Sequence, residues 1–466
     1  MLFSSVTFLY YFFPLVLVLH FLMPHKTTKP RNYVLLLFSV VFYAWGEPKL
    51  LLLMLAQSFS GWFFGLFIER WRGKKLSKAA LVAALVVGIG GLMFFKYADF
   101  FIENFNAATG ISVPLLRLAL PLGISFYTFQ ILSYDIDLYR SECEMQPNYF
   151  TFTTYVTLFP QLIAGPIVRY VDVAAELAER QITLTAFAGG ARRFVIGLGK
   201  KVLIANVLGE LVDICKTSGE HSVLNAWLYI IAYALHLYFD FSGYSDMAIG
   251  MGHMLGFKFL ENFNYPYIAR SITDLWRRWH MSLSSWFRDY VYIPLGGNRC
   301  SKPRQVFNIL VVWFCTGFWH GAGWNFIVWG LYFAALLLLE KFVLGKVLDK
   351  LPRVIQHIYA LVFILIGWTI FDAPTLVTAG ERIAALFGVG DTALAGVSSL
   401  YYLRSYAVPL ILATIGATPI VRRAATWVQQ KRVTTVLEPL TVLLLLVLVT
   451  AYLVDGSFNP FIYFRF

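Results

Sequence analysis

Charge is what this 466-residue chain has least of. Asp, Glu, Lys and Arg make up 14% of it against 59% hydrophobic residues, and its mean hydropathy is +0.66. A soluble chain covers its surface with charges at roughly a quarter of its positions, so the deficit excludes a water-exposed globule and points to lipid. Cysteine is scarce too. Cys143, Cys215, Cys300 and Cys315 show neither C-x-x-C spacing nor a companion histidine pattern, so no zinc site is assigned, and Cys300 reads as a small apolar residue before it reads as an acylation site. There is no G-x-S-x-G elbow for a serine hydrolase and no G-x-x-x-x-G-K-[ST] phosphate loop. Pro/Ser-rich linkers, low-complexity tracts, soluble inserts and internal repeats are also missing, so 1–466 reads as one membrane-embedded domain. An inverted-repeat transporter would show matched broken segments in two halves.

What is present is a succession of apolar runs of roughly 17 to 25 residues. Candidate spans fall at 7–23, 32–45, 49–68, 79–97, 114–139, 150–168, 223–241, 305–319, 322–345, 354–371, 404–420 and 435–454. The expected fold class is an all-α polytopic membrane protein with roughly eleven to thirteen transmembrane helices plus in-plane or re-entrant ones. The net charge of +12 does not imply nucleic acid, because the basic residues cluster in loops: Lys26/Lys29/Arg31, Arg70/Arg72/Lys74/Lys75/Lys78, 270–304, and Arg422/Arg423/Lys431/Arg432. These fit cytoplasmic loops under the positive-inside rule. Two runs joined by a tight Gly46-Glu47-Pro48 turn put Arg31 and Arg70 on one side, while 99–113, with Asp99 and Glu103 and no Lys or Arg, falls outside. The N-terminus is then extracytoplasmic as well. The first run lacks a basic n-region and a small-residue cleavage site, so it reads as a retained span.

Unusual residues concentrate at 236–330. Residues 269–304 are too polar to cross a bilayer, yet they mix Trp276, Trp279, Trp286, Tyr290 and Tyr292 with Arg277, Arg278 and Arg288, which suits an interfacial or re-entrant segment. The stretch 184–203 is a second in-plane candidate. Ionisable groups at membrane depth are costly and therefore functional candidates: Asp135, Asp137, His236, Asp240, Asp246, His253, His280 and His320. Each has a plainer reading as a hydrogen-bonded packing residue. His320 departs furthest from that reading. It ends the run 307–319, roughly 24 Å along a helix that starts at Arg304, and Gly321-Ala322-Gly323 break the helix before Trp324. Its near-neutral imidazole suits it to take a proton from an alcohol and return one to a thiolate. His280, in 276–282, would orient a substrate, relay a proton, or simply make a helix hydrogen bond. His236 and Asp240, at i and i+4, share a helix face, where the carboxylate would fix the imidazole tautomer or form a structural pair. Two histidines are too few for a metal site; a haem bridged by two helices is the residual alternative.

Four motifs carry a resemblance: LFPQLIAGP at 158–166, YFDFSGYSD at 238–246, RRWHMSLSSWFRDYVYIPLGGNR at 277–299 and FWHGAGWNFIVWG at 318–330. They resemble the membrane-bound O-acyltransferases, in particular the bacterial branch of alginate O-acetylation and teichoic-acid D-alanylation. The opening LFSSVTFLYYFFP and closing FNPFIYFRF favour the alginate side. The resemblance implies His320 as the catalytic histidine and His280 as the second one of the site; Asp240, Asp246, Trp319 and Asn325 are candidate supporting residues beside them. It also implies a ring of helices around a thin centre, with funnels from both faces meeting near the histidine. No bound cofactor is implied. The donor would be a cytoplasmic thioester on coenzyme A or an acyl carrier protein; Arg277, Arg278 and Arg288 are placed to meet it, and solvated positive-inside charge explains them equally well. The acceptor would be a hydroxyl of an extracytoplasmic polysaccharide or cell-wall glycan, reached directly or through an SGNH-type partner. D-alanyl transfer to teichoic acid is the nearest alternative, and a transporter of an acyl group or glycan the alternative of another class.

Overall fold

The computed structural model describes residues 1–24, 27–163, 165–390, 392–429 and 434–456. Lys26, Lys431, Arg432, Ala164 of the 158–166 motif and the closing 458–466 motif lie outside the described residues. A backbone in lipid must satisfy its own hydrogen bonds, and helices do so within one segment. The described residues are accordingly helical, with one isolated parallel bridge, Ser222 to Ala393, as the other pairing. Six helices are long and apolar enough to cross a membrane: Leu51–Arg70, Lys75–Thr109, Val223–Leu255, Trp324–Leu348, Arg353–Asp372 and Leu437–Asp455. Ala407–Gly416 and Ile420–Trp427 together make a seventh if counted as one span, bent by 71°. The run 404–420 is thus interrupted where an unbroken span was expected.

The described residues divide into two compact units. The first comprises Met1–Phe194 and Tyr244–Leu260. In it the helix Lys29–Gly46 closes at the predicted turn and a new helix starts at Leu51. Two other expectations fail here. The 114–139 run becomes helical only at Ile124, because Pro114, Pro121 and Gly123, at φ 70°, hold the chain out of the α region before it. The 150–168 run breaks at Leu158 into Tyr149–Thr157 and the single turn Phe159–Leu162, which carries Pro160. The acidic stretch at 99–113 is helical to Thr109, and the Asp99 carboxylate accepts the N–H groups of Leu116 (2.7 Å) and Arg117 (2.9 Å).

The second unit comprises Val195–Gly243 and Glu261–Phe466. The helix Leu184–Gly199, predicted to lie in plane, widens at Lys200–Ala205 and runs into α1 (Asn206–Thr217). The long helix α2 (Val223–Leu255) contributes its first part, to Gly243, to this unit. Residues 269–304 form no span, as expected: short turns Pro266–Ile268 and Ile272–Trp276 lead to α3 (Met281–Phe287) and a wide turn at Arg288–Tyr292. Then come α4 (Lys302–His320), α5 (Trp324–Leu339), α6 (Arg353–Asp372) and α7 (Leu376–Leu386). Pro303 sits in the first turn of α4, where its missing N–H has no helical partner to lose. The predicted break after His320 is present, with Gly321 and Gly323 extended.

Helices α4 and α5 pack backbone to backbone. A Cβ on Gly317 would lie 2.3 Å from the carbonyl oxygen of Phe326, and one on Gly330 2.3 Å from that of Trp313, so both positions demand glycine. Gly317→Val or Gly330→Val must force the pair apart, at a cost of about 1–3 kcal/mol or more for overpacking. Each should lower the melting temperature of the purified protein, and a wild-type melting curve for both would refute this account of the packing.

Candidate active site

His320 is the last residue of α4 and is 5% exposed. Aromatic rings surround its imidazole, with centroids at 4.9 Å for Trp319, 5.0 Å for Trp329 and 5.3 Å for Phe371. Their interplanar angles of 81–84° are the edge-to-face arrangement that ring quadrupoles favour. Phe371 reaches the site because Asn325 Nδ2 donates to its carbonyl oxygen (3.2 Å), tying the start of α5 to the end of α6. The glycine after the histidine has a packing reason of its own. A Cβ on Gly321 would fall 2.2 Å from the Phe326 ring.

His280 is held differently. It sits immediately before α3 with φ at 45°, in the left-handed region that non-glycine residues avoid. Asn262 Oδ1 accepts three donors there: His280 Nδ1 (3.1 Å), the Ser282 N–H (3.3 Å) and Ser282 Oγ (2.9 Å). The Asn262 carbonyl takes the Met281 N–H at 3.0 Å. Since a backbone N–H can only donate, this oxygen is an acceptor and Nδ1 carries the ring proton. In the neutral ring the lone pair then resides on Nε2. Phe241 packs edge-on against His280 at 4.8 Å, and Trp319 stands at 5.9 Å from it, touching both histidines.

The two histidines, forty positions apart in sequence, line one cavity of about 270 Å³. Its α4 wall is Ile309, Val312, Trp313, Thr316 and His320, one helix face extending roughly 17 Å. Trp276, Trp279, Leu283 and Phe287 add apolar surface, and Arg277 and Arg288 also line it. Arg278 is engaged elsewhere, on Asp274 (2.8 Å) and the Asn264 carbonyl (3.2 Å). A narrow, apolar-walled channel with cations and two imidazoles can hold an extended apolar arm, anchor an anion and move a proton.

The remaining candidates are not among the residues that line this cavity. Asp240 forms a buried pair with Lys201 at 2.6 Å, and His236 Nδ1 donates to the Ala205 carbonyl (2.5 Å). Asp246 belongs to the first unit and pairs with Arg193 at 2.8 Å. Among the described residues no three His, Cys, Asp or Glu side chains gather as a metal site would require. Sequence reasoning missed Asn262, Phe241, Trp329 and Phe371. Thr316, one turn before His320, was open to it by spacing alone.

A multi-pass helical chain that buries a histidine pair in a narrow cavity has the architecture of a membrane-embedded group-transfer enzyme. Residues 81–372 match the family described as MBOAT, membrane-bound O-acyltransferase, and the chain belongs to that family of acyltransferases. A protein named "Probable alginate O-acetylase AlgI" from Azotobacter vinelandii is 41% identical over 89% of this chain and 84% of its own length. One of the same name from Pseudomonas putida is 38% identical over the whole of both chains. The peptidoglycan O-acetyltransferase of Helicobacter pylori is 33% identical over 85% of this chain and 82% of its own.

The three donors converging on Asn262 make it the positioning residue for His280. Asn262→Ala should lower acyl-transfer turnover by on the order of 100-fold, the usual effect of misplacing a reacting group by about an ångström. Asn262→Asp, which keeps an acceptor oxygen, should retain more. Equal turnover in both variants and wild type would remove that role.

Proposed function

We propose that this acyltransferase moves an acyl group, acetyl in the first instance, from a cytoplasmic thioester to a hydroxyl of an extracytoplasmic polysaccharide or cell-wall glycan. The observation that carries the reading is the cavity shared by His320 and His280, with Arg277 and Arg288 on its lining. The relatives named for acetylation of alginate and of peptidoglycan support the acceptor class. D-alanyl transfer is supported less: the teichoic acid D-alanyltransferase of Bacillus subtilis is 32% identical over 47% of this chain.

In the proposed reaction His320 takes the proton of the acceptor hydroxyl, and the alkoxide oxygen attacks the thioester carbonyl. The C–S bond then breaks, the ester forms, and the imidazolium returns its proton to the thiolate. The aromatic rings around His320 exclude water, which would otherwise compete as acceptor. His280, fixed by Asn262, keeps an Nε2 lone pair as hydrogen-bond acceptor in the same cavity. Arg277 and Arg288 meet the phosphates of coenzyme A or the acidic surface of an acyl carrier protein. Transfer is direct or passes through a serine of an SGNH-type partner outside the cell. The protein sits in the cytoplasmic membrane among lipids, N-terminus outward, as the basic loops imply.

His320→Ala should abolish esterification of the glycan while leaving the amount of membrane-inserted protein unchanged. Unaltered ester content in that variant would overturn the proposal. Arg277→Ala and Arg288→Ala should each raise the KM for the thioester donor about tenfold with little change in kcat, the effect of losing one charge-assisted hydrogen bond. An unchanged donor KM in both would remove the arginines from donor binding.

A further inference from the structure

The second unit holds another cavity, of about 170 Å³, which none of the roles above uses. It is bounded by the end of α1, the start of α2, the last turn of α6 and α7, and is lined by Lys216, Glu220, His221, Asn225, Tyr229 and Arg382 among others. Its groups are fixed. The Asp372 carboxylate accepts Lys216 Nζ (2.7 Å), Arg382 Nη1 (3.0 Å) and the Tyr229 hydroxyl. Arg382 also donates to the Tyr229 oxygen at 2.8 Å, and its guanidinium stands 5.0 Å from the centre of that ring. Asn225 Nδ2 donates to the carbonyls of Cys215 (3.2 Å) and Glu220 (3.1 Å). Burial pushes the Glu220 carboxyl up, but hydrogen bonds from Ser222 and Ser399 outweigh it and leave the group below its usual range, hence charged.

Two features decide what such a cavity takes. Lys216 and Arg382 are balanced by Asp372 and Glu220, so it offers hydrogen-bond donors and acceptors around one aromatic ring and no net charge. That chemistry suits a hydroxyl-rich sugar ring, whose alternating O–H groups need both kinds of partner, more than it suits a doubly charged phosphate. An extended peptide would look for unpaired main chain. Here the N–H groups of Val223 and Leu224 are already bonded to the carbonyls of Ala393 (2.9 Å) and Leu394 (3.1 Å). The volume, below the roughly 300–1,000 Å³ of pockets for drug-sized ligands, fits one ring.

The cavity also stands beside the histidine. Thr369 lines it and Asp372 organises it, while Phe371, between them in sequence, packs on His320 at 5.3 Å. One turn of α6 therefore touches both. We infer that this cavity is a subsite for a sugar ring of the acceptor glycan, holding the chain next to the residue whose hydroxyl reacts. The inference rests on the glycan-acceptor reading above and adds where the polymer is gripped.

Binding, not turnover, tests it. Full-length protein carrying His320→Ala, which removes catalysis and leaves this cavity intact, is titrated in detergent with alginate oligosaccharides in one arm and N-acetylglucosamine oligomers in the other. At least one binds, and adding Arg382→Gln or His221→Ala weakens it at least about tenfold, as expected for lost hydrogen bonds to charged or polar side chains. His221 is exposed, so its variant keeps the parent's melting temperature even if the Arg382 variant does not. Failure of both sugars to bind, binding of a seryl peptide in their place, or parent-like affinity in both variants overturns the inference. Should the wild type esterify no glycan while the binding and its loss persist, the acceptor function fails and the subsite stands. The reverse pattern removes the subsite alone.

Discussion

A helix that ends away from water must give its last carbonyls and the next helix's first amides to something other than solvent. The site follows from how this chain meets that demand between His320 and Trp324. The reversal is tight, α5 restarts within three residues, and Asn325 ties its first turn to the end of α6. Because Gly317 and Gly330 let the two backbones touch, α4 and α5 have little room to slide, and the residue at the tip has one place to be. That residue is a histidine. Its imidazole is enclosed by the rings of Trp319, Trp329 and Phe371, delivered by three different turns of helix.

The two imidazoles are therefore fixed by different physics. His320 is boxed by shape, whereas His280 is aimed by a polar clamp on Asn262 and Ser282. The clamp on His280 assigns its Nδ1 to holding the ring, whereas aromatic edges and faces surround the ring of His320. Two charges, Arg277 and Arg288, line the cavity that the two imidazoles share. Arg288 is paired with Asp289 and mostly exposed, and the Lys216–Asp372–Arg382 group sits beyond Phe371. The rings of Trp319, Trp329 and Phe371 keep the polarity around His320 low, where a hydrogen bond counts for more.

Much of this was legible in the sequence. The shortage of charge gave the membrane, the run into Trp319-His320-Gly321 gave a helix end with a histidine on it, and the mixture of tryptophan and arginine at 269–304 ruled out a span there. Hydropathy misled where proline and glycine competed with it: 114–139 counts as apolar, yet Pro121 and Gly123 delay the helix to Ile124, and Pro160 likewise breaks 150–168. The i, i+4 spacing of His236 and Asp240 gave no sign of Lys201, which arrives from another segment and pairs with the buried Asp240 carboxylate at 2.6 Å. Asn262 had no signature at all. Its importance comes from a loop folding back on the left-handed residue at 280, a contact that no local pattern encodes.

That left-handed residue has an evolutionary side. An L side chain with φ at 45° costs free energy that glycine would not, and the conformation persists because its surroundings over-determine it. Glycine at this position would relieve that strain but would give up the buried ring's contacts with Phe241 and Asn262. Under the proposed reaction, histidine at 280 acts as a record of use: among descendants of this sequence, its replacement by glycine would mark the lineages in which transfer had been given up before the fold was.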